Sequence, residues 1–241
     1  MTGPRLSISD LAERFALGGA QAAALEAYVD LLAGWKRANV TGLSSREQIV
    51  ETLLGDALAL LDVAQLRERA GAGWLDLGAG AGIPGIPLAL ALPAVELTLL
   101  EAVARKCEFL EAAVGAAGLA SRARVVCARS EAYAAASPGR EGASVVFARA
   151  VAPLPVLVEL AAPLLAPGGV LLASKTAAAV RDEGAAAGIA AGLCGLAAGP
   201  VVRLERSPLD QAVCAVYEKV APTPDRFPRR EGIAAKRPLA S

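Results

Sequence analysis

The stretch WLDLGAGAGIPG, Trp74 to Gly85, constrains this chain more than any other. A short apolar run ends near an acid and passes into glycines at alternate positions, the pattern of a strand turning into a helix around a close-bound ligand. Gly80, Gly82 and Gly85 fit the G-x-G-x-x-G template of dinucleotide folds. Asp76, Gly78, Gly80 and Gly82 fit the D-x-G-x-G-x-G template of methyltransferases. Glycines alone do not choose between them. Asp76 does: a carboxylate at the strand end opposes a pyrophosphate but suits the ammonium and sulfonium charges of S-adenosylmethionine. The register agrees, because a dinucleotide fingerprint starts directly at the strand end, whereas Gly80 comes four residues after Asp76.

From Gly73 onward, short apolar runs separated by Gly, Pro and charged turns alternate with helical patterns, the βαβ rhythm of a parallel sheet. The spacing predicts strands at Trp74–Leu77, Val95–Leu100, Arg124–Cys127, Ser144–Ala148, Val170–Ser174, Val201–Leu204 and Ala212–Tyr217. Helices are predicted to begin near Pro84, Arg105, Pro153 and Ala177. Before residue 70 the texture is helical. Asp10 and Glu13 have capping spacing, Leu25, Tyr28, Leu32 and Trp35 share one face, and Gly42 ends that region. Ser45 and Gln48 open a further helix whose Ile49, Leu53, Leu60 and Leu61 face a core. The expected organisation is a helical lobe over residues 1–70, an α/β Rossmann-like methyltransferase sheet over 71–220 and a basic, Pro-containing tail over 221–241.

Composition removes several chemistries. There is no histidine, so Ser-His, Cys-His and His-metal mechanisms are absent together. Cys107, Cys127, Cys194 and Cys214 stand singly without C-x-x-C spacing, which reads as buried small hydrophobes and no metal. The mean hydropathy is +0.47, yet charges, Pro or Gly punctuate every apolar stretch, so the expectation is a cytoplasmic protein that makes no membrane contact. Formal net charge is zero. Basic residues concentrate in DRFPRREGIAAKR, Asp225 to Arg237, which reads either as a solvated tail or as an arm contacting phosphates.

Glu101, ending the second strand, has the spacing of an acid on a ribose diol. Ser130 and Glu131, after the third strand, stand where such sheets hold an adenine ring; a simple helix N-cap is the plainer role for Ser130. The acceptor is narrowed by what is missing. Cytosine C5 requires a nucleophilic Cys, usually preceded by Pro, and no Pro-Cys dipeptide occurs. Exocyclic amines usually rely on an Asn- or Asp-Pro-Pro-aromatic loop after strand four, where this chain reads FARAVAP. A ring nitrogen with a free lone pair, such as guanine N7, needs neither device.

Over nearly its full length the chain resembles the bacterial 16S ribosomal RNA guanine-N7 methyltransferases, also called glucose-inhibited division protein B. The resemblance lies in WKRANVTGL (Trp35 to Leu43), DLGAGAGIPGIPLA (Asp76 to Ala89), LLEAVARKCEFL (Leu99 to Leu110), ARSEAY, FARAVAPL (Phe147 to Leu154), the Gly-Gly strand ending at Lys175, and FPRREGIAAKRPL (Phe227 to Leu239). It implies that Gly78 and Ile83 line the methionine end of S-adenosylmethionine, that Glu101 takes the ribose and that Ser130 and Glu131 take the adenine. It also implies that Arg149 sits near cofactor and target base, where the residues alone leave a buried ion pair equally open. Lys175 either neutralises RNA phosphate or only snorkels from a strand end.

The tail would add phosphate contacts through Arg229, Arg230, Lys236 and Arg237, with Phe227 free to stack on a base. The partner implied is 16S ribosomal RNA or the small ribosomal subunit, engaged by a monomer. Asn39 and Thr41 match a family motif that suggests packing of the lobe over the cofactor. The chain departs from the family's usual pattern at Leu53, where a His commonly precedes Asp56, at Ala79 and at Thr176. Methylation of a small molecule, or cofactor and RNA binding without catalysis, are the competing readings; the basic tail favours an RNA substrate over a small one.

Overall fold

Side chains alternate across a strand, so a run such as Trp74-Leu75-Asp76-Leu77 buries both of its faces only where both are covered. In the computed structural model, which describes residues 6–43, 45–69, 73–135 and 137–240, both are. The chain opens with α1 (Ile8–Phe15) and α2 (Gly19–Gly34). An uninterrupted helical run then passes from α3 (Arg46–Gln48) through a π-helical segment (Ile49–Leu54) and α4 (Gly55–Ala59) to a 3-10 turn (Leu60–Asp62), with α5 (Ala64–Glu68) following.

Ser7, not Asp10, caps α1: its hydroxyl accepts from the Asp10 amide at 3.1 Å while the Asp10 carboxylate accepts from the Ser7 amide at 2.7 Å. Ser45 accepts from the Gln48 amide at 3.3 Å, and Ile49, Leu53, Leu60 and Leu61 are buried. The helix carrying Leu25, Tyr28 and Leu32 stops at Gly34, earlier than the expected Gly42, and Trp35 sits just past its end with its ring edge-on to Phe109 at 5.3 Å.

Among the described residues, seven strands form one sheet: β1 (Gly73–Leu77), β2 (Glu96–Glu101), β3 (Ala123–Cys127), β4 (Ala143–Arg149), β5 (Leu165–Thr176), β6 (Leu196–Arg203) and β7 (Ala212–Lys219). Their order is β3-β2-β1-β4-β5-β7-β6; the first five pair in parallel and β7 runs antiparallel to β5 and β6. Crossovers carry α6 (Gly85–Ala91), α7 (Ala104–Ala116), α8 (Ser130–Tyr133) and α9 (Leu154–Ala161), and the Ala-rich α10 (Ala177–Cys194) precedes β6. A short α11 (Ile233–Lys236) lies in the C-terminal segment.

β5 starts before the expected Val170 because Pro167-Gly168-Gly169 forms a bulge inside the strand. Gly168 takes φ +74°, and the pairing with β4 shifts register between Ala143 and Val145. Likewise β6 starts at Leu196 and shifts register between Ala198 and Val201, across Gly199-Pro200.

The alternation yields two cores. Trp74, Leu97, Leu99, Val145, Phe147 and Leu172 face α6, α7 and the N-terminal helices, and Trp74 meets Phe147 edge-on at 5.1 Å. Leu75, Leu77, Leu100, Val146, Ala148 and Leu171 face α9 and α10. The N-terminal helices thus share one apolar core with a sheet face. Among the described residues, no helix is long and apolar enough to cross a membrane. Strand order reverses between β1 and β4, so their carboxyl ends diverge and leave a crevice where ligands of open α/β sheets bind.

Candidate functional site

At that crevice lies a cavity of about 430 Å3, with Leu77, Gly78, Leu100, Glu101, Ser130 and Glu131 among its lining. Ala150, Val151 and Ala152, from the turn after β4, form a further side, with Ala150 held at φ +56°. A second cavity of about 390 Å3 opens at the opposite, amino ends of β1 to β3, far from the glycine loop, and includes Glu96, Arg122 and Arg124. The predicted cofactor residues Gly78, Glu101, Ser130 and Glu131 gather at the first.

The glycine loop decides its own ligand. Gly78 and Ala79 donate their amides to Leu100 O at 2.8 and 3.1 Å, Gly82 donates to Ala79 O at 2.7 Å, and Gly80 donates to Glu101 Oε2 at 2.9 Å. A pyrophosphate needs those amides pointing outward; here they are engaged within the protein. Gly78, at φ +69°, brings its backbone close to the turn after β4: a Cβ there would stand 2.9 Å from Val151 Cγ2. Gly82, at φ +79°, packs against Ile86 and Leu110.

Asp76 is fully buried beneath the loop. Its Oδ2 accepts from the Gly85 amide at 2.8 Å, and Oδ1 has no hydrogen-bond partner among the described residues. Burial pushes its carboxyl up to about 7, against the lowering effect of the Gly85 amide; Glu101 raises it further and Arg149 lowers it. An unsatisfied buried carboxylate oxygen gains most from a nearby cation. The donor set therefore fits S-adenosylmethionine, with its ammonium and sulfonium, better than a diphosphate.

Glu101 is buried at the end of β2. Beyond Gly80, it accepts from the Ala102 and Val103 amides, both at 2.9 Å, so three of its roughly four acceptor positions are filled and one remains for a hydroxyl. Ser130 is the first residue of α8, whose N-cap is Arg129, so the plainer capping role does not describe it. Its hydroxyl donates to Glu131 Oε2 at 3.0 Å, while Glu131 Oε1 accepts from the Gly232 amide at 2.9 Å.

Of the predicted cofactor residues, Gly78, Glu101, Ser130 and Glu131 reach the cavity lining; Asp76, Gly80, Gly82 and Ile83 stand behind it and shape the loop. Arg149 forms the ion pair that the sequence left open. Its Nε donates to Asp56 Oδ2 at 3.0 Å, and Asp56 Oδ1 accepts from Ser207 Oγ at 2.8 Å. Asp56 is 4% exposed, so the N-terminal helices fix the arginine beside the turn that lines the cavity.

The basic residues separate into two sets. Lys175 is turned inward: its Nζ donates to Ala152 O at 2.8 Å and pairs with Glu183 at 3.3 Å, and Glu183 accepts from the Leu154 amide at 2.6 Å. Arg229, expected as a phosphate contact, grips the buried Glu159 carboxylate with two of its nitrogens and donates to Arg237 O at 2.8 Å. Phe227, expected to stack on a base, is 1% exposed within the second core, because an aromatic ring without a ligand is more stable packed than solvated. Arg230, Lys236 and Arg237 remain at the surface.

Two participants escaped sequence reasoning. Tyr28, read only as an apolar face residue, donates its hydroxyl to Ala81 O at 2.5 Å and ties α2 to the glycine loop. Asp56 carried no signal beyond its place near Leu53, which packs in the core. Of the family motif preceding it, Asn39 is exposed and Thr41 accepts locally from the Leu43 amide at 3.2 Å.

A family model described as rRNA small subunit methyltransferase G matches residues 21–204. The chain is 39% identical to the ribosomal RNA small subunit methyltransferase G of Rubrobacter xylanophilus, over 91% of this chain and 84% of that one. It is also 39% identical to the protein of the same description from Chloroflexus aggregans, over 91% and 90%. A solved structure described as a predicted O-methyltransferase, from Agrobacterium tumefaciens, superposes with a TM-score of 0.52 at 22% identity, covering 70% of this chain and 80% of that one, which supports the shared fold.

Proposed function

The chain belongs to the rRNA small subunit methyltransferase G family, and from that premise we propose that it transfers the methyl group of S-adenosylmethionine to N7 of a guanine in 16S ribosomal RNA. When bound, the donor supplies an electrophilic methyl sulfonium. What the chain supplies is alignment and exclusion of water.

N7 carries its lone pair in the plane of the ring and needs no deprotonation, which agrees with a chain that has no histidine. The covalent route to cytosine C5 lacks a thiolate at three of the four cysteines: burial pushes the thiols of Cys107, Cys194 and Cys214 up to about 12, so they stay protonated. In this reading Gly78 lets the donor's methionine end approach the backbone, Glu101 accepts from its ribose, and Ser130 with the backbone around it meets the adenine. Arg149, steered by Asp56, faces the acceptor side, and Arg230, Lys236 and Arg237 contact phosphates.

The observation that carries the donor assignment is the loop whose amides are already engaged above a buried carboxylate with one free oxygen. The acceptor is tested by incubating the protein with methyl-labelled S-adenosylmethionine and either undermethylated small ribosomal subunits or a total small-metabolite extract. Label recovered as 7-methylguanosine from the subunits supports the proposal; label in another nucleoside, or only in metabolites, overturns it.

A further inference from the structure

The C-terminal segment is built into the cavity rather than trailing from the domain. Phe227 is its anchor in the second core, and Arg140 clamps the approach by donating to Phe227 O at 2.8 Å and Thr223 O at 3.1 Å. Arg229 then grips Glu159 on α9, a carboxylate 2% exposed that has no use for burial without such a partner. The same guanidinium donates to Arg237 O, which closes the chain from 229 to 237 into a loop. At the middle of that loop Gly232, in the left-handed conformation at φ +73°, donates its amide to Glu131. Gly232, Ala234 and Ala235 thereby line the same cavity as Glu101, Ser130 and Glu131.

We propose that residues 227–237 form the wall of the donor pocket at its adenine end, and that Arg229 is a positioning residue for S-adenosylmethionine rather than an RNA contact. Small side chains at 232, 234 and 235 leave room for a flat ring. The glutamate expected to meet the adenine, Glu131, holds this wall through one oxygen and Ser130 through the other. Arg230, Lys236 and Arg237 project from the same loop into solvent, so RNA phosphates bound there would seat the wall and tighten the donor, and the donor would strengthen RNA binding by the same factor. This inference rests on the donor assignment made above.

The direct test is hydrogen exchange of the full-length protein with and without saturating S-adenosylhomocysteine. Slower exchange in peptides covering 227–237, together with those covering 78–85, supports the wall. Protection confined to the glycine loop and the turn after β3 overturns it while leaving the donor assignment standing. If calorimetry detects no binding of this ligand, the donor assignment fails and the wall with it.

Arg229→Ala adds a second measure: KM for S-adenosylmethionine rises about tenfold with kcat within about twofold, within the usual range for a coupling between neighbouring sites. Arg229→Lys recovers only part of the loss, since it keeps the charge but not the two-pronged grip. The exposed Arg181→Ala serves as control. Unchanged KM in Arg229→Ala, in protein whose melting shows it folded, overturns the positioning role.

Discussion

Ionisation of Asp76 should set how tightly the donor binds as pH changes. Without ligand the buried carboxyl titrates at about 7, against 3.8 when unburied. The folded state therefore holds this proton more tightly than the unfolded one, and the group's own contribution to stability falls as pH rises between those two values. A cationic ligand in the cavity in front of Asp76 favours the carboxylate and reverses that preference.

At about pH 6 roughly one molecule in ten carries the carboxylate, and at about pH 7.4 roughly seven in ten. Over the same interval the donor's ammonium, with an α-amino pKa of about 7.8, drops to roughly seven-tenths charged. The product of the two rises about sixfold, or about 1 kcal/mol. Isothermal titration calorimetry should show Kd for S-adenosylmethionine falling about sixfold from the lower pH to the higher, with buffer-dependent enthalpies that report proton release. Asp76→Asn should lose the rise and show only the shallow decline of the ammonium. A flat profile in the native protein, or an equal rise in the Asn variant, would refute the role given to this carboxylate.

Three further outcomes are expected. Gly78→Val forces a β-branched residue to φ +69° against Val151 and should lower stability by about 2 kcal/mol and abolish measurable donor binding; normal affinity would remove the loop from the site. Arg149→Ala leaves Asp56 buried with Ser207 as its remaining partner. Because the arginine side chain is 22% exposed, the cost should sit at the lower end for a broken buried pair, about 3 kcal/mol, seen calorimetrically as a fall in Tm of about 6–12 °C. A shift below about 2 °C would mean the pair contributes little to holding the lobe. The double change Arg230→Glu and Lys236→Glu should weaken RNA binding at all sequences and reduce the slope of log K against log salt by about 2; an unaltered slope would show that these cations face no phosphate.

Much of this molecule could be read locally. The β1 run, the acid two residues before Gly78, the glycines, and Glu101 at the end of β2 all lie within single strand-turn-helix units. Periodicity and turn chemistry act over that range, so strand positions and the class of fold follow from neighbours along the chain. The bulge at Gly168 and Gly169 shows the limit even here: a Pro-Gly-Gly turn and a bulged strand share one local code, and pairing with β4 selects between them.

What tertiary structure alone decided is which charges face water. DRFPRREGIAAKR reads as one basic stretch in which every cation is equally free to face water, yet Arg229 is bound inward to Glu159, 70 residues away, and Phe227 fills the core, while Arg230, Lys236 and Arg237 remain outside. Arg149 meets Asp56 across 93 residues, and Tyr28 meets Ala81 across 53. No spacing rule reaches that far. Partners for buried polar groups are chosen when the layers pack, because a charge or hydroxyl removed from water takes whichever complementary group the fold brings beside it.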